Sequence, residues 1–391
     1  MFKSLLGKAT HDGKRTPDDV SHKAEGRKHK GHAHLAGGAH GQPINAAPVS
    51  AAMPTAGAPP RPGMSPVRGG TGAGNANGAA GFSSPSRQMG RVSVPDPSVT
   101  TFDLAGLPVH VYGLEQMTPM SPRGVPDVCI SIHMHGRTGS SRKEDELVRE
   151  LWHDTMVERH NLGSVRTRDF LLVTFDSRNH GERKTNPTGQ KSWKEGNSKH
   201  AVDMYGMIHG TAADVTFIMR MLPAYMFPND ERRVSLFSVT GKSLGGHSAW
   251  QVLAHEPMIR VGVSFIGTPD FQRLIAMRAK MSYMQDIPPA VPNSLRALMR
   301  TVDPAMMPYR EPNASNPFFG KKILACCGAD DKLVRWTYSQ EFLENLVVAP
   351  PNSDEQRRSL QVFVQPNVGH KVTSEMLQHG ARWLAQWALP Y

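Results

Sequence analysis

Apolar and polar residues form two alternating patterns from Val109 to the C-terminus. Short, continuous apolar segments predict seven strands: Val109–Tyr112, Val128–His133, Phe170–Phe175, Val234–Val239, Gly262–Ile266, Ile323–Cys327 and Gln361–Val364. Longer segments with helical spacing predict five helices: Glu144–His160, Asp203–Leu222, Leu244–His255, Trp336–Leu346 and Thr373–Trp387. Because continuous apolar strands that alternate with helices are typical of sheets buried on both faces, we predict an α/β fold with a mostly parallel sheet and helices on both faces.

The segment Tyr283–Phe319 interrupts this alternation. It is rich in Pro and Met and contains short helical pieces at best. It lies between two predicted strands, where an α/β enzyme often carries an insertion over its site. We therefore expect residues 283–319 to form a small cap-like insertion.

The first 98 residues differ in composition from the rest of the chain. They are rich in Gly, Ala, Pro, Ser and His and contain few large apolar residues. Such a segment buries too little apolar surface to offset the chain entropy that folding removes. We predict a disordered N-terminal arm over residues 1–98 and one folded domain over residues 99–391.

This arm also carries most of the net charge. Residues 1–95 contain 12 Lys and Arg against 4 Asp and Glu, which is +8 of the formal +11 of the 391-residue chain. A basic arm can attract nucleic acid or anionic lipid, but it is more often a solvated tail. We expect no specific nucleic-acid partner. Binding that weakens steeply with salt, and that disappears with the arm, would indicate the alternative.

Two groups of histidines raise the question of a metal site. The segment KHKGHAHLAGGAH, residues 28–40, has His at several spacings but lacks the Cys and His pairs of a structural zinc site. His133 and His135 form a second pair, with no carboxylate or third His nearby in the sequence. We expect neither a metal nor a cofactor.

The cysteines and the apolar segments bear on the compartment. Three cysteines are too few for a disulfide scaffold, and Cys326 and Cys327 are adjacent within a predicted strand. No apolar segment reaches the roughly 18 residues of a membrane span, and MFKSLLGK is too short for a secretory signal. We predict a cytoplasmic protein, with a mitochondrial location as the alternative.

The segment VSLFSVTGKSLGGHSAW, residues 234–250, runs from a predicted strand through a Gly-rich turn into a predicted helix. Its Gly-Lys-Ser triplet resembles the end of a phosphate-binding P-loop, but such a loop also needs Gly where this chain has Leu236. The same turn reads G-x-S-x-G from Gly241 to Gly245, which is the nucleophile elbow. The flanking strand and helix favour the elbow and predict Ser243 as a nucleophile. The alternative is an ordinary helix N-cap.

A serine elbow requires an acid and a histidine after later strands, and a hydrogen-bond-donating loop after an early strand. All three are present, with the loop before Ser243 in the chain and the acid and the histidine after it. ILACCGADDKLV leads from a predicted strand to Asp330 and Asp331, and LQVFVQPNVGHKV leads from the next strand to His370. VCISIHMHGRTGS places His135 and Gly136 at the end of an early strand.

Four segments carry a resemblance to a known family: FDSRNHGER, KSWKEGNSKHAVDMYGMIHGTAADV, GKSLGGHSAW and GHKVTSEM. Over roughly residues 105–390 the chain resembles the α/β-hydrolase superfamily, in the dienelactone-hydrolase or prolyl-oligopeptidase-like branch. It is similar there to a group of largely uncharacterised fungal hydrolases. The resemblance implies an α/β-hydrolase sheet and a serine hydrolase that uses no cofactor. Lys242 departs from the family, because a long charged residue is less usual beside the nucleophile.

The resemblance and the spacing of the motifs imply the same catalytic roles. Ser243 attacks an acyl carbonyl, His370 takes its proton and returns it to the leaving group, and an Asp holds the imidazole. In related hydrolases the acid turn runs Gly, two residues, Asp, two residues, then an apolar residue. Gly328, Asp331 and Val334 fit that spacing, which selects Asp331 over its neighbour.

Further residues are expected around the substrate. The backbone N–H groups of Leu244 and Arg137, in the loop after Gly136, are the expected oxyanion donors. Four side chains are candidate substrate contacts: His135, Lys242, His180 and Trp193. Three of them have a structural alternative, since the two histidines can brace loops and Lys242 can pair with an acidic neighbour. Trp193 is a candidate wall of the pocket.

We therefore predict a hydrolase that cleaves an ester or thioester of a small-molecule acyl substrate through an acyl-enzyme. Two alternatives stay open. One is a hydrolase of small peptides or amides. The other is a hydrolase fold retained as a non-catalytic binding protein.

Overall fold

The computed structural model describes residues 93–121, 124–163 and 165–391. The disorder predicted for the arm over residues 1–92 lies outside the described residues. Residues 93–98 are described, and they contact the folded domain. Val94 packs against a core cluster, and the Arg149 guanidinium donates a hydrogen bond to the Pro97 carbonyl at 3.1 Å.

One sheet of eight strands forms the centre of the described chain. The strands are β1 (Val99–Asp103), β2 (Pro108–Tyr112), β3 (Val128–Met134), β4 (Asp169–Phe175), β5 (Val234–Lys242), β6 (Ile259–Phe265), β7 (Lys322–Gly328) and β8 (Leu360–Gln365). Their order across the sheet is β1-β2-β4-β3-β5-β6-β7-β8. β2 pairs antiparallel with both β1 and β4, and all other pairs are parallel. The carboxyl ends of β3 to β8 therefore meet at one edge of the sheet.

Eight α-helices accompany the sheet in the described residues. They are α1 (Asp145–Asn161), α2 (His200–Met226), α3 (Leu244–His255), α4 (Phe271–Met281), α5 (Asn293–Val302), α6 (Thr337–Asn345), α7 (Asp354–Ser359) and α8 (Ser374–Trp387). α1 packs against α8, and α2 packs against α3. None of the helices described here combines the length and the apolar character that crossing a membrane requires.

Residues of one strand alternate between two core clusters, because successive side chains of a strand point to opposite faces of the sheet. In β3, Ile130 and Ile132 pack with residues of α2 and α3, whereas Cys129 packs with residues of α1 and α8. All seven residues of β3 are buried. Burial on both faces explains why the strand is an almost continuous apolar segment in the sequence.

The seven predicted strands and the five predicted helices are all present. The bounds of α3 are the predicted ones, Leu244 to His255. Four elements were not predicted: β1, α4, α5 and α7. The mostly parallel α/β architecture predicted from the hydrophobic pattern is therefore confirmed.

The connection from β6 to β7 is the long insertion of the domain, and it contains α4 and α5. Its last part packs into the core, since the rings of Tyr309 and Phe318 lie 4.4 and 5.5 Å from the ring of Phe342. Leu295 and Met299 of α5 belong to a cluster with residues of α2 and α4. A cap over the site stays a prediction for the part before residue 303.

Candidate active site

Ser243 lies between β5 and α3, at the carboxyl edge of the sheet, with φ 54° and ψ −109°. A non-glycine residue in such a conformation costs of order 1–3 kcal/mol and persists only where its surroundings hold it. Two glycines allow the turn. A Cβ on Gly241 would lie 2.1 Å from the Gly245 carbonyl oxygen, and one on Gly245 would lie 2.0 Å from the Met134 oxygen. Only glycine fits at either position without a backbone shift.

Three predicted residues form one chain of hydrogen bonds. The Ser243 Oγ lies 2.8 Å from the His370 Nε2, and the His370 Nδ1 lies 2.7 Å from an Asp331 Oδ2. A carboxylate can only accept, so the Nδ1 carries the proton and the Nε2 is the acceptor for the serine hydroxyl. Ser243 therefore lies beside an imidazole whose tautomer is fixed by the hydrogen bond from its Nδ1 to Asp331.

The carboxylate next to His370 is buried and fully bonded. Besides His370, Asp331 accepts the backbone N–H groups of Leu333 and Val334 at 2.8 and 2.9 Å through its other oxygen. The neighbouring Asp330 has an exposed side chain. The structure thus places Asp331, and not Asp330, against the imidazole.

Comparison with solved structures identifies the fold. No protein-family model and no curated protein matches the sequence. The solved structure of TT1662 from Thermus thermophilus is similar over 75% of this chain and 98% of that chain, at 21% identity and a TM-score of 0.51. The chain has the α/β-hydrolase fold. The narrower likeness to one branch and to fungal members stays a prediction.

Other similar structures show weaker overlap. The Pyrococcus furiosus esterase Pf2001 is 16% identical over 75% of this chain and 93% of that chain, with a TM-score of 0.43. Acetyl xylan esterase 1 from a Thermoanaerobacterium species is 14% identical over 76% of this chain and 86% of that chain, with a TM-score of 0.44. Since fold alone does not give an activity, the argument for function rests on the site of this α/β-hydrolase domain.

The loop after β3 lies beside Ser243 in this α/β-hydrolase domain. A Cβ on Gly136 would lie 3.6 Å from the Ser243 Cβ. Within the described residues, the backbone N–H groups of Leu244 and Arg137 have no hydrogen-bond acceptor in the protein. Free N–H groups on either side of the serine are what an oxyanion hole requires.

His135 lies at the start of this loop, and His180 packs against it. The Nδ1 of His135 donates to the Gly136 carbonyl at 2.9 Å, and its Nε2 accepts the Ser177 N–H at 3.0 Å. Its ring packs edge-on against His180, whose centroid is 5.1 Å away. Both rings are fully buried, and burial lowers the pKa of His180 to about 4. These contacts are typical of residues that brace a loop, and a substrate contact by either histidine stays a prediction.

Lys242 turns away to an acidic neighbour. Its ammonium lies 2.8 Å from the Glu144 Oε1, and Glu144 is buried at the start of α1. This pair connects the residue before the nucleophile with the segment after the Gly136 loop. This is the acidic partner that the sequence analysis gave as the alternative, and a contact of Lys242 with substrate stays a prediction.

A cavity of about 250 Å³ is lined by residues of the loop after β3, of the segment before α2, of α4 and of the turn after β7. It is lined by Arg137, Ser192, Trp193, Lys194, His200, Arg278, Met281, Ser282 and Leu333. Trp193 forms part of the wall of this cavity, and its contact with a substrate stays a prediction. A larger cavity of about 600 Å³ lies at β2 and Arg142, but none of the residues that form the hydrogen-bond chain lines it. None of these three residues lines the smaller cavity either, and a third cavity, of about 520 Å³, is lined by Asp331. Two residues of the smaller cavity are neighbours of the site, since Arg137 follows Gly136 and the Leu333 N–H donates to Asp331.

Sequence reasoning missed three residues that shape this site: Glu144, His200 and Arg278. Glu144 begins one predicted helix and His200 lies just before another, and both look like ordinary polar positions in the sequence. Arg278 lies in α4, which was not predicted. Only a tertiary arrangement brings them to the site, and no local spacing indicated it.

Proposed function

We propose that this protein is a serine hydrolase that cleaves a carboxylic ester or thioester. The observation that carries the proposal is the hydrogen-bond chain Ser243–His370–Asp331 at the carboxyl edge of the sheet. A serine, an imidazole and a buried carboxylate in this order are the parts that activate a hydroxyl as a nucleophile.

The first step would form an acyl-enzyme. The Ser243 Oγ attacks the acyl carbonyl carbon while the His370 Nε2 takes the hydroxyl proton. Asp331 stabilises the imidazolium that results. The negative charge that develops on the carbonyl oxygen meets the N–H groups of Leu244 and Arg137. As the bond to the alcohol or thiol breaks, His370 gives its proton to that leaving group.

The second step would release the acid. A water molecule attacks the acyl-enzyme while His370 again accepts a proton, now from the water. The tetrahedral intermediate collapses, the carboxylic acid leaves, and the proton returns to the Ser243 Oγ. Apart from the acyl group and the water, this step uses only groups of the protein.

An active-site-directed fluorophosphonate probe tests the proposal most directly. We expect it to label the protein, and we expect Ser243→Ala to abolish labelling while circular dichroism stays unchanged. Hydrolysis of p-nitrophenyl esters of graded chain length should fall on the order of 10³-fold or more in this variant. Ser315→Ala, a change at an exposed serine, is the matched control and should label fully.

Two results would contradict the proposal. Full labelling of Ser243→Ala would assign the nucleophile elsewhere. A wild-type protein that neither labels nor hydrolyses any ester, although it is folded, would favour the hydrolase fold retained as a binding protein.

A further inference from the structure

The cavity that Arg137 and Leu333 line contains cationic side chains and no carboxylate. Arg137, Lys194 and Arg278 line it, and its lining includes neither Asp nor Glu. Within the described part of the chain, neither guanidinium forms an ion pair. The two nearest carboxylates that interact with them are Glu195 and Asp331, and each is already bonded elsewhere, to Ser192 and to His370.

Neutral groups hold the two guanidinium groups in place. The Arg278 Nη1 donates to the Met204 Sδ at 2.8 Å and to the His200 Nε2 at 3.5 Å. The Arg137 Nη1 donates to the Gln190 carbonyl at 3.0 Å. These bonds hold both side chains through neutral acceptors, so neither positive charge is paired by a direct contact with a carboxylate.

The arrangement is costly for the protein alone. Burial, and then the like charge of Arg137, lowers the pKa of Arg278 to about 10. Burial and both arginines lower the pKa of His200 to about 4, so that the ring is neutral and can accept from Arg278. Arg137 and Arg278 are both half-buried. A partly buried cation without an ion-pair partner is unfavourable, and perturbed groups in a cleft are typical of binding sites.

The rest of the wall is part polar and part apolar, since Ser192, His200 and Ser282 also line it. Trp193, Met281 and Leu333 contribute large apolar surfaces to the cavity. Its volume of about 250 Å³ lies below the range of drug-sized pockets, about 300–1,000 Å³. The cavity therefore suits a short apolar chain that ends in a charged group.

We propose that the substrate of this hydrolase carries an anionic group, which Arg137 and Arg278 bind, joined by a short apolar chain to the ester. A guanidinium presents its N–H groups in a plane that matches the oxygens of a carboxylate or a phosphate. This inference rests on the proposed function, since it names the substrate class of the same site. It goes further in assigning a specificity role to two arginine side chains that the chemistry of Ser243 does not require.

Matched esters test the charge and its place in the substrate. On the acyl side, p-nitrophenyl hydrogen adipate is compared with its neutral methyl ester, and an acyl chain ending in phosphonate distinguishes the two anions. On the leaving-group side, 4-acetoxyphenylacetate is compared with 4-tolyl acetate. We expect kcat/KM to be higher for the anionic member of at least one pair by about 30-fold, and this preference to shrink as salt is added.

Arg278→Gln connects the preference to the cavity. It should lower kcat/KM for the preferred anionic ester by about 30-fold, the loss expected when one partner of a buried charge pair is removed, and change the neutral ester by less than about 3-fold. Arg278→Lys keeps the positive charge but loses the planar set of N–H donors. Its kcat/KM for the anionic ester should lie between the values for the wild-type protein and for Arg278→Gln. Arg273→Gln, on the same helix but outside the cavity lining, is the matched control and should leave both esters unchanged.

Binding without catalysis separates this inference from the proposed function. Monomethyl adipate should raise the melting temperature of Ser243→Ala, and it should not do so when Arg278→Gln is added. If no ester is hydrolysed but this shift is seen, the proposed function fails and the anion site stands. Equal kcat/KM for the charged and neutral esters of every pair, or an equal loss on both in Arg278→Gln, overturns the anion site.

Discussion

Asp330 and Asp331 are adjacent in the sequence but have different surroundings. Asp331 is buried against His370, whereas the Asp330 side chain is exposed. In Asp331→Asn an amide N–H would replace the oxygen that accepts from the Nδ1, which favours the wrong tautomer of the imidazole. We expect kcat for a p-nitrophenyl ester to fall by about 10⁴-fold, the size of this effect in a serine protease triad.

The same measurement on Asp330→Asn gives the control. Because the Asp330 side chain is exposed and does not contact the imidazole, we expect kcat to stay within about 2-fold of the wild-type value. If the two variants exchanged their effects, the acid would be Asp330 and the turn would be shifted by one residue from the structure described here.

The sequence predicted residues whose motifs are local and missed those whose contacts are distant. Ser243 could be found because its two glycines lie within the same five-residue motif. The partner of Lys242 could not, since Glu144 lies 98 residues earlier in the chain. Arg278 reaches the site through a contact 74 residues away in sequence, with Met204. Such a pairing follows from the packed fold and not from any spacing in the sequence.

Among the structural elements, the turn from β5 into α3 has the least room for substitution. In Gly245→Ala the added methyl group would lie 2.0 Å from the carbonyl oxygen of Met134, a backbone atom that cannot move without shifting β3. We expect the melting temperature to fall by several degrees and ester hydrolysis to fall at least tenfold, since the elbow and the oxyanion loop separate. Thermal unfolding and kcat/KM measured on the same sample check both effects.

Gly206→Ala is the matched control and should have the opposite sign. Gly206 lies exposed in α2, where an added Cβ would meet no atom within 4 Å. Alanine is a better helix former than glycine, so this change should raise the free energy of unfolding by about 0.4–1 kcal/mol. A Gly245→Ala protein as stable and active as Gly206→Ala would contradict the packing argument.

The elements that were predicted and those that were missed differ in how much apolar surface they bury. β3 to β7 cross the core and are nearly continuous apolar segments, so their sequences identify them. β1 lies at the sheet edge, and its residues alternate between exposed and half-buried in VTTFD. α5 follows a proline-rich loop and is only ten residues long. Edge strands and short helices depend on tertiary contacts that a local pattern does not contain.

On the scale of the whole molecule, the boundary between the arm and the domain can be located by truncation. Removing residues 1–92 should leave the melting temperature and kcat almost unchanged, because the composition of this segment cannot supply a core. Removing residues 1–98 should lower the melting temperature measurably. That second cut deletes Val94, the Pro97 carbonyl that bonds Arg149 and the Ser98 bonds to Gln116.

For each truncation, one outcome would contradict the expectation. A large loss of kcat on removing residues 1–92 would show that the arm takes part in the domain. Identical melting curves for the two truncations would show that residues 93–98 add nothing to stability.

Buried histidines make the fold sensitive to acid. Burial lowers the pKa of His133, His180 and His200 to about 4 and that of His247 to about 3. Between these values and the usual pKa near 6.5, the unfolded chain binds protons that the folded chain does not. The free energy of unfolding should therefore fall as the pH drops below about 6.5, and urea unfolding from pH 7.5 to pH 4.5 measures it.

A variant assigns part of this slope to one ring. In His180→Phe a buried titratable ring is replaced by an apolar ring, so the dependence of the unfolding free energy on pH between about 6.5 and 4.5 should become less steep. An unchanged slope would exclude His180 as a source of it. A free energy of unfolding that does not vary with pH in the wild-type protein would contradict the whole argument.

Tyr283, with 97% of its surface exposed, marks a point in the chain that divides the site. Ser243 precedes it, whereas Asp331 and His370 follow it, so a protease that cut only there would leave the nucleophile on one polypeptide and its base on another. The two pieces would be held by the pairing of β6 with β7 and by the helices packed across that seam. Turnover by the nicked protein would then depend on fragment complementation. The loss of activity on dilution of the nicked sample would then measure how strongly the two fragments of the sheet associate.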